Sequence, residues 1–188
     1  MAIVQGGFDV IFGKIKDALE TYSATQIVAD RFIVYPDYYR VLPSGASPAN
    51  VFLYMGNIIP TEQNVEGFYQ YDVSYIVDMV AQAKGALSST AYDRASEATG
   101  IRLRTLIQQC LNALFVPGQF NFGLPAGTIS KKPMPQISPL PPDSQIGERP
   151  FAGARMTLTF GLCFEPGTVE GTATDGYLIT ADKWSALI

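Results

Sequence analysis

Residues 69–83, YQYDVSYIVDMVAQA, alternate with the period of an extended strand. Tyr69, Tyr71, Val73, Tyr75, Val77, Met79, Ala81 and Ala83 occupy one side, and Gln70, Asp72, Ser74, Asp78 and Gln82 the other, with Ile76 and Val80 the exceptions. A period of two places one set of side chains on one face, so this is a β-strand with a buried side. Strands in globular domains mostly run about 5–6 residues. A strand this long needs a partner of matching length. One appears at 154–165, where Ala154, Met156, Leu158, Phe160, Leu162 and Phe164 alternate with Arg155, Thr157, Thr159, Gly161, Cys163 and Glu165. Two such strands pair best side by side and antiparallel, each covering the other's main-chain polar groups.

The remaining elements follow from period and punctuation. Phe8, Ile11, Phe12, Ile15, Leu19 and Tyr22 recur at helical spacing, with Asp9, Lys16, Asp17 and Glu20 opposite. Residues 31–35 read as a strand ended by Pro36, and Tyr38, Tyr39 and the 43–48 PSGASP run as a loop. Residues 50–55 form a short apolar strand bounded by Gly56-Asn57 and Pro60, with 61–64 a polar connector. This strand is close enough in sequence to be the hairpin partner of the long one. A second helix spans about 92–115, its apolar positions Leu103, Leu106, Ile107, Cys110 and Leu114, its polar side Arg102, Arg104, Gln108, Gln109 and Asn112. Pro117-Gly118 stops it.

Residues 117–150 carry prolines at 117, 125, 133, 135, 139, 141, 142 and 150, a density that no helix or central strand tolerates. The expected form is an extended arm lying on a neighbouring surface; a polyproline ligand within KKPMPQISPLPPD is the other reading. Residues 166–188 make a C-terminal extension with a short strand at 177–180 and an apolar end around Trp184. Together these elements form one α+β domain over 1–188: an antiparallel sheet with two main helices packed on one face, plus the long proline-rich arm.

Charge and missing residue types narrow the function. Charged residues make up 16%, against about 25% in typical soluble domains. A chain so short of charge either has a neutral polar surface or hides part of it against other copies, and we expect the second. The net charge of −4 and the scatter of Lys and Arg, with Lys131-Lys132 their only pair beside Pro133, speak against tight nucleic-acid binding. There is no histidine, which removes Ser-His-Asp and Cys-His triads and His-ligated zinc. Cys110 and Cys163 form no CxxC and sit in apolar patterns, so two buried reduced thiols are expected. No phosphate loop, dinucleotide fingerprint or nucleophile elbow occurs. Asp72 and Asp78 share a strand face six residues apart, about 20 Å, too far for one site. Tyr69, Tyr71 and Tyr75 have the texture of a base-stacking platform but lie on the face that should be buried. No catalytic residue, metal site or cofactor is expected. Charges within the first twenty residues argue against a signal peptide, and no apolar run is long enough to cross a bilayer, so synthesis and assembly in a cytoplasm are expected.

In order and character, residues 5–165 resemble the tail terminator, or tail-completion, proteins of tailed bacteriophages. The features that carry the likeness are the helix Phe8–Tyr22, the short strand Val51–Tyr54, a connector with Glu62 and Glu66, the YDVSYIVDMVAQ strand, the helix Ala95–Phe115 and the closing strand Ala154–Phe164. The arm and the C-terminal extension are larger than that family's compact pattern. The resemblance implies a virion structural protein: a ring, usually hexameric, in the neck at the head–tail joint. Such a ring caps the tail tube, ends its polymerisation and meets the head-side connector, while DNA passes through the lumen without specific binding. Its partners would be its own copies, the tail tube protein and the connector or stopper protein, with no membrane. A head-completion or stopper protein, a tail tube subunit, and a small metal- or carboxylate-dependent hydrolase are the alternatives. Large side chains in loops, arm and tail are the expected interface residues: Tyr38, Tyr39, Phe120, Phe122, Lys131, Lys132, Arg149 and Trp184.

Overall fold

The computed structural model describes residues 7–36, 49–63, 69–82, 89–116, 129–131, 133–140 and 151–164. Helix α1 is Gly7–Thr25, a single 3₁₀ turn covers Val28–Asp30, and β1 is Ile33–Pro36. Then come β2, Ala49–Gln63, β3, Tyr69–Gln82, and helix α2, Ser89–Leu114. Two short strands, β4 at Ile129–Lys131 and β5 at Gln136–Pro139, precede the long β6, Phe151–Phe164.

The centre of the sheet is the pair that the alternation predicts. β3 and β6 are antiparallel in unbroken register from Tyr69↔Phe164 to Gln82↔Phe151. β2 lies antiparallel on the other side of β3 as its hairpin partner. Because directly opposite residues share a face, Met79–Ala154, Val77–Met156, Tyr75–Leu158 and Val73–Phe160 form one apolar seam. All of these except Ala154 are completely buried, as are Ala49, Val51 and Leu53 of β2. The helices roof this face with Ile11, Ile15 and Leu19 of α1 and Leu106, Cys110 and Leu114 of α2. Burying one such side chain contributes about 1.5–3 kcal/mol, which outweighs the roughly 1 kcal/mol cost of Gly100 inside α2.

Three expectations are corrected. The sheet is mixed rather than purely antiparallel, because β1 runs parallel to β2 from Ile33↔Asn50 to Pro36↔Leu53. α1 and the 3₁₀ turn deliver the chain to β1 at the sheet edge, and Ser23 fixes that entry by donating to the Phe32 carbonyl (2.7 Å) and accepting from the Phe32 amide (3.0 Å). The first hairpin strand does not stop at Gly56-Asn57 or Pro60 but continues to Gln63. β3 needs a partner along its whole length, so Gly56 and Asn57 are absorbed in a register shift between Met55 and Ile58, a second shift follows Pro60, and the strand resumes. The described part of the proline-rich arm pairs with its own sheet, where β4 and β5 both lie along the outer edge of β6. Proline density forbids a central strand and leaves these short edge pieces. Gln109 does not lie on a solvated polar side of α2: it is buried and donates to the Asp30 carbonyl (3.2 Å).

Candidate interaction surface on the outer sheet face and its rim

The face turned away from the helices carries the even positions of β3. Here the sheet pairs its polar groups across strands. Asp78, directly opposite Arg155, accepts two hydrogen bonds from that guanidinium, Nε to Oδ1 and Nη2 to Oδ2, both 2.8 Å. Tyr54 of β2 donates its hydroxyl to Oδ2 at 2.9 Å, and the Arg155 guanidinium carbon lies 6.0 Å from the Tyr54 ring centre. Asp78 is 6% exposed. A carboxylate buried to this extent is held by the fork-shaped cation opposite it. Ser74 and Thr159 face each other at 3.3 Å, and Asp72 meets Lys131 of β4 at 3.7 Å. Tyr35 and Phe52 stack at 5.3 Å where β1 joins β2.

These carboxylates are occupied. Three donors hold Asp78, and Asp72 pairs with a different cation, so the two carboxylates share no site, as their spacing predicts. Among the described residues no three His, Cys, Asp or Glu side chains converge as a metal-ligand group. Burial pushes the Cys110 thiol up to about 12, so it stays protonated and unreactive in the native fold. Cys163 lies in β6 by its backbone, and its side chain is outside the described residues. Burial, and secondarily the negative Asp9, push the Tyr75 hydroxyl well above its ordinary value; it donates to the Phe8 carbonyl at 2.9 Å and tethers α1 to the sheet.

A second polar junction holds α2 to the turn before β1. Arg102 reaches Asp30 (3.2 Å) and the Arg31 carbonyl (3.1 Å). Asn112 of α2 also donates to the Tyr22 hydroxyl of α1 at 3.3 Å. These bonds position the roof and carry no reactive group.

The rim is different. β1 covers β2 only as far as Leu53. Residues 57–61 of β2 are all exposed, and Met55, Ile58 and Ile59 are 44%, 40% and 54% exposed. At the opposite edge every residue of β5 is exposed; Ile137 is 42% exposed and Met134, just before β5, 82%. Of the eight interface residues expected from sequence, only Lys131 falls among those described: it is exposed and pairs with Asp72 of its own subunit. Tyr38, Tyr39, Phe120, Phe122, Lys132, Arg149 and Trp184 lie outside the described residues. The rim residues Met55, Ile58 and Ile137 escape a sequence reading because each sits in a strand-like pattern in which an apolar residue normally means core. No helix among the described residues is long and apolar enough to cross a membrane. A scan against known protein families and a search of curated proteins return no match for this chain.

Proposed function

We propose that this chain is a structural subunit that works by assembling with its own copies, and that its place is the ring at the head–tail joint of a tailed phage, where it terminates the tail tube. One observation carries the reading: a sheet whose helix-covered centre is fully sealed ends, at both edges, in exposed Met and Ile side chains. Exposed apolar side chains grouped at a rim mark contact surface more often than a random scatter does. Low overall charge supports the same reading, since little of the surface is set up to repel another copy. The order of helix, hairpin, helix and closing strand keeps the pattern of the terminator resemblance. The ring role rests on that resemblance and on the rim, and the terminator role on the resemblance alone.

The test has two stages. Native mass spectrometry and negative-stain imaging of the purified chain should give a closed ring of a few copies; a monomer at all soluble concentrations refutes the assembly reading. The ring is then mixed with isolated tail tubes. Capping of tube ends supports a terminator, and binding only to head-side connectors reassigns it as a stopper.

A further inference from the structure

We infer that the joint between copies is heterologous and edge to edge: the β2 rim at Met55 and Ile58 of one copy meets the β5 rim at Ile137 of the next. The inference rests on the self-assembly reading above and adds the surfaces that it uses.

Register carries it. Ile58 is opposite Val73 and Met55 opposite Tyr75, residues whose side chains face the helices. Ile137 is opposite Met156, which faces the same way. Met55, Ile58 and Ile137 therefore lie on one face of the sheet, while Ile59, opposite Asp72, turns to the other. A step of about 7–13 Å along the strands from one copy to the next brings the two rims level: Met55 aligns through Tyr75 with Leu158 and Ile58 through Val73 with Phe160, two and four residues from Met156, the partner of Ile137, and the step carries β5 past the stretch of β2 that β1 covers. Direction agrees as well. β5 is antiparallel to β6, β6 to β3 and β3 to β2, so β5 of a copy placed alongside meets β2 antiparallel, the more favourable orientation. Brought together, two copies extend the helix-facing apolar seam across the joint, where among the described residues of β2 complete burial ends at Leu53.

The same edge carries brakes on unlimited strand addition. Pro60 has no N–H to donate, and the register shift between Met55 and Ile58 breaks the regular row of main-chain groups. Pro139 does the same on β5. The joint is accordingly made by side chains over a short stretch, which suits a closed assembly of fixed number better than an open ribbon.

Two variants decide it. Ile58→Glu and Ile137→Lys each place a charge in the joint while leaving the core untouched, and circular dichroism should show unchanged folding. Each alone should weaken assembly roughly thirtyfold, the scale of a hot-spot side chain. Both together in one chain put opposite charges across every joint and should restore most of the assembly. As a second measurement, Ile58→Cys and Ile137→Cys combined in one chain should give a ladder of multimers with a short bismaleimide, above the background of the wild-type chain, and neither alone should. A dimer from Ile58→Cys alone means a two-fold joint and overturns the inference. An intact assembly indifferent to both charge variants places the joint elsewhere; the inference falls and the assembly reading stands. A wild-type chain that is monomeric throughout removes both.

Discussion

Asp78 is an acid on the outer face of a strand whose other face is the core, yet it is nearly as buried as the core. Its neighbours explain how that is tolerated: the Arg155 guanidinium and the Tyr54 hydroxyl together satisfy both carboxylate oxygens. Removing one partner of a buried pair costs about 3–5 kcal/mol because the other charge stays behind. The Arg155 side chain is 37% exposed, so the lower part of that range or somewhat less applies. Arg155→Ala should lose about 2–3 kcal/mol in urea titration, and the double variant Asp78→Asn, Arg155→Ala much less than the sum. Additive losses would mean that the two side chains act independently. Alkaline titration reads out two other residues. Cys110 and Tyr75 both have raised values in the folded chain, so the fold favours their protonated, neutral forms. The stability that this contributes is complete below their ordinary values, about 9 for the thiol and 10 for the phenol, and is lost as pH rises towards the folded values. The melting temperature should therefore hold to about pH 9 and then fall. Tyr75→Phe should soften the later part of that fall, at the expense of the bond to Phe8, worth about 1 kcal/mol at neutral pH. A melting temperature flat to pH 11 would contradict the burial of both groups.

The two long strands and both helices were legible because each satisfies one period over many residues; α1, α2, β3 and β6 all fall within a few residues of where the pattern puts them. What escaped was set by tertiary pairing. Gly56, Asn57 and Pro60 are local stop signals, but the hairpin partner overrides them for β2. Gln109 is polar at a position where the Asp30 carbonyl supplies a buried acceptor, and nothing local announces that carbonyl. Prolines exclude central strands from the arm, yet an edge needs only a few residues, which β4 and β5 supply. How firmly this edge is held is testable at Gly153. The Leu140 amide donates to the Gly153 carbonyl at 2.9 Å. A Cβ at 153 would come within 2.9 Å of Leu140 Cδ1 and 3.1 Å of its Cβ. The Cδ1 can swing away; the Leu140 Cβ can move only with its backbone. Gly153→Ala should thus cost about 1–3 kcal/mol and speed amide exchange at 136–140 more than in β3, with Leu140→Ala in the same chain recovering part of the loss. Unchanged exchange at 136–140 would show that the strap is held by something other than this seat.

Taken whole, the molecule separates its charges from its apolar rim. The described ion pairs sit on helix surfaces, at the α2 junction and on the outer sheet face. Met55, Ile58 and Ile137 have apolar register partners and face the helix side. A joint built from the rim is thus driven by removal of apolar surface from water, and a joint built from the outer face would be driven by charge. The two respond oppositely to conditions. Screening at higher salt weakens contacts between exposed charges, while apolar association is little affected by sodium chloride, is strengthened by sulfate and weakens on cooling. Sedimentation of the wild-type chain should therefore show assembly that persists from low to high sodium chloride, tightens in sodium sulfate and loosens in the cold. Dissociation on raising sodium chloride alone would move the joint to the ion-paired face, and with it the Asp78–Arg155 pair from a structural to an intersubunit role.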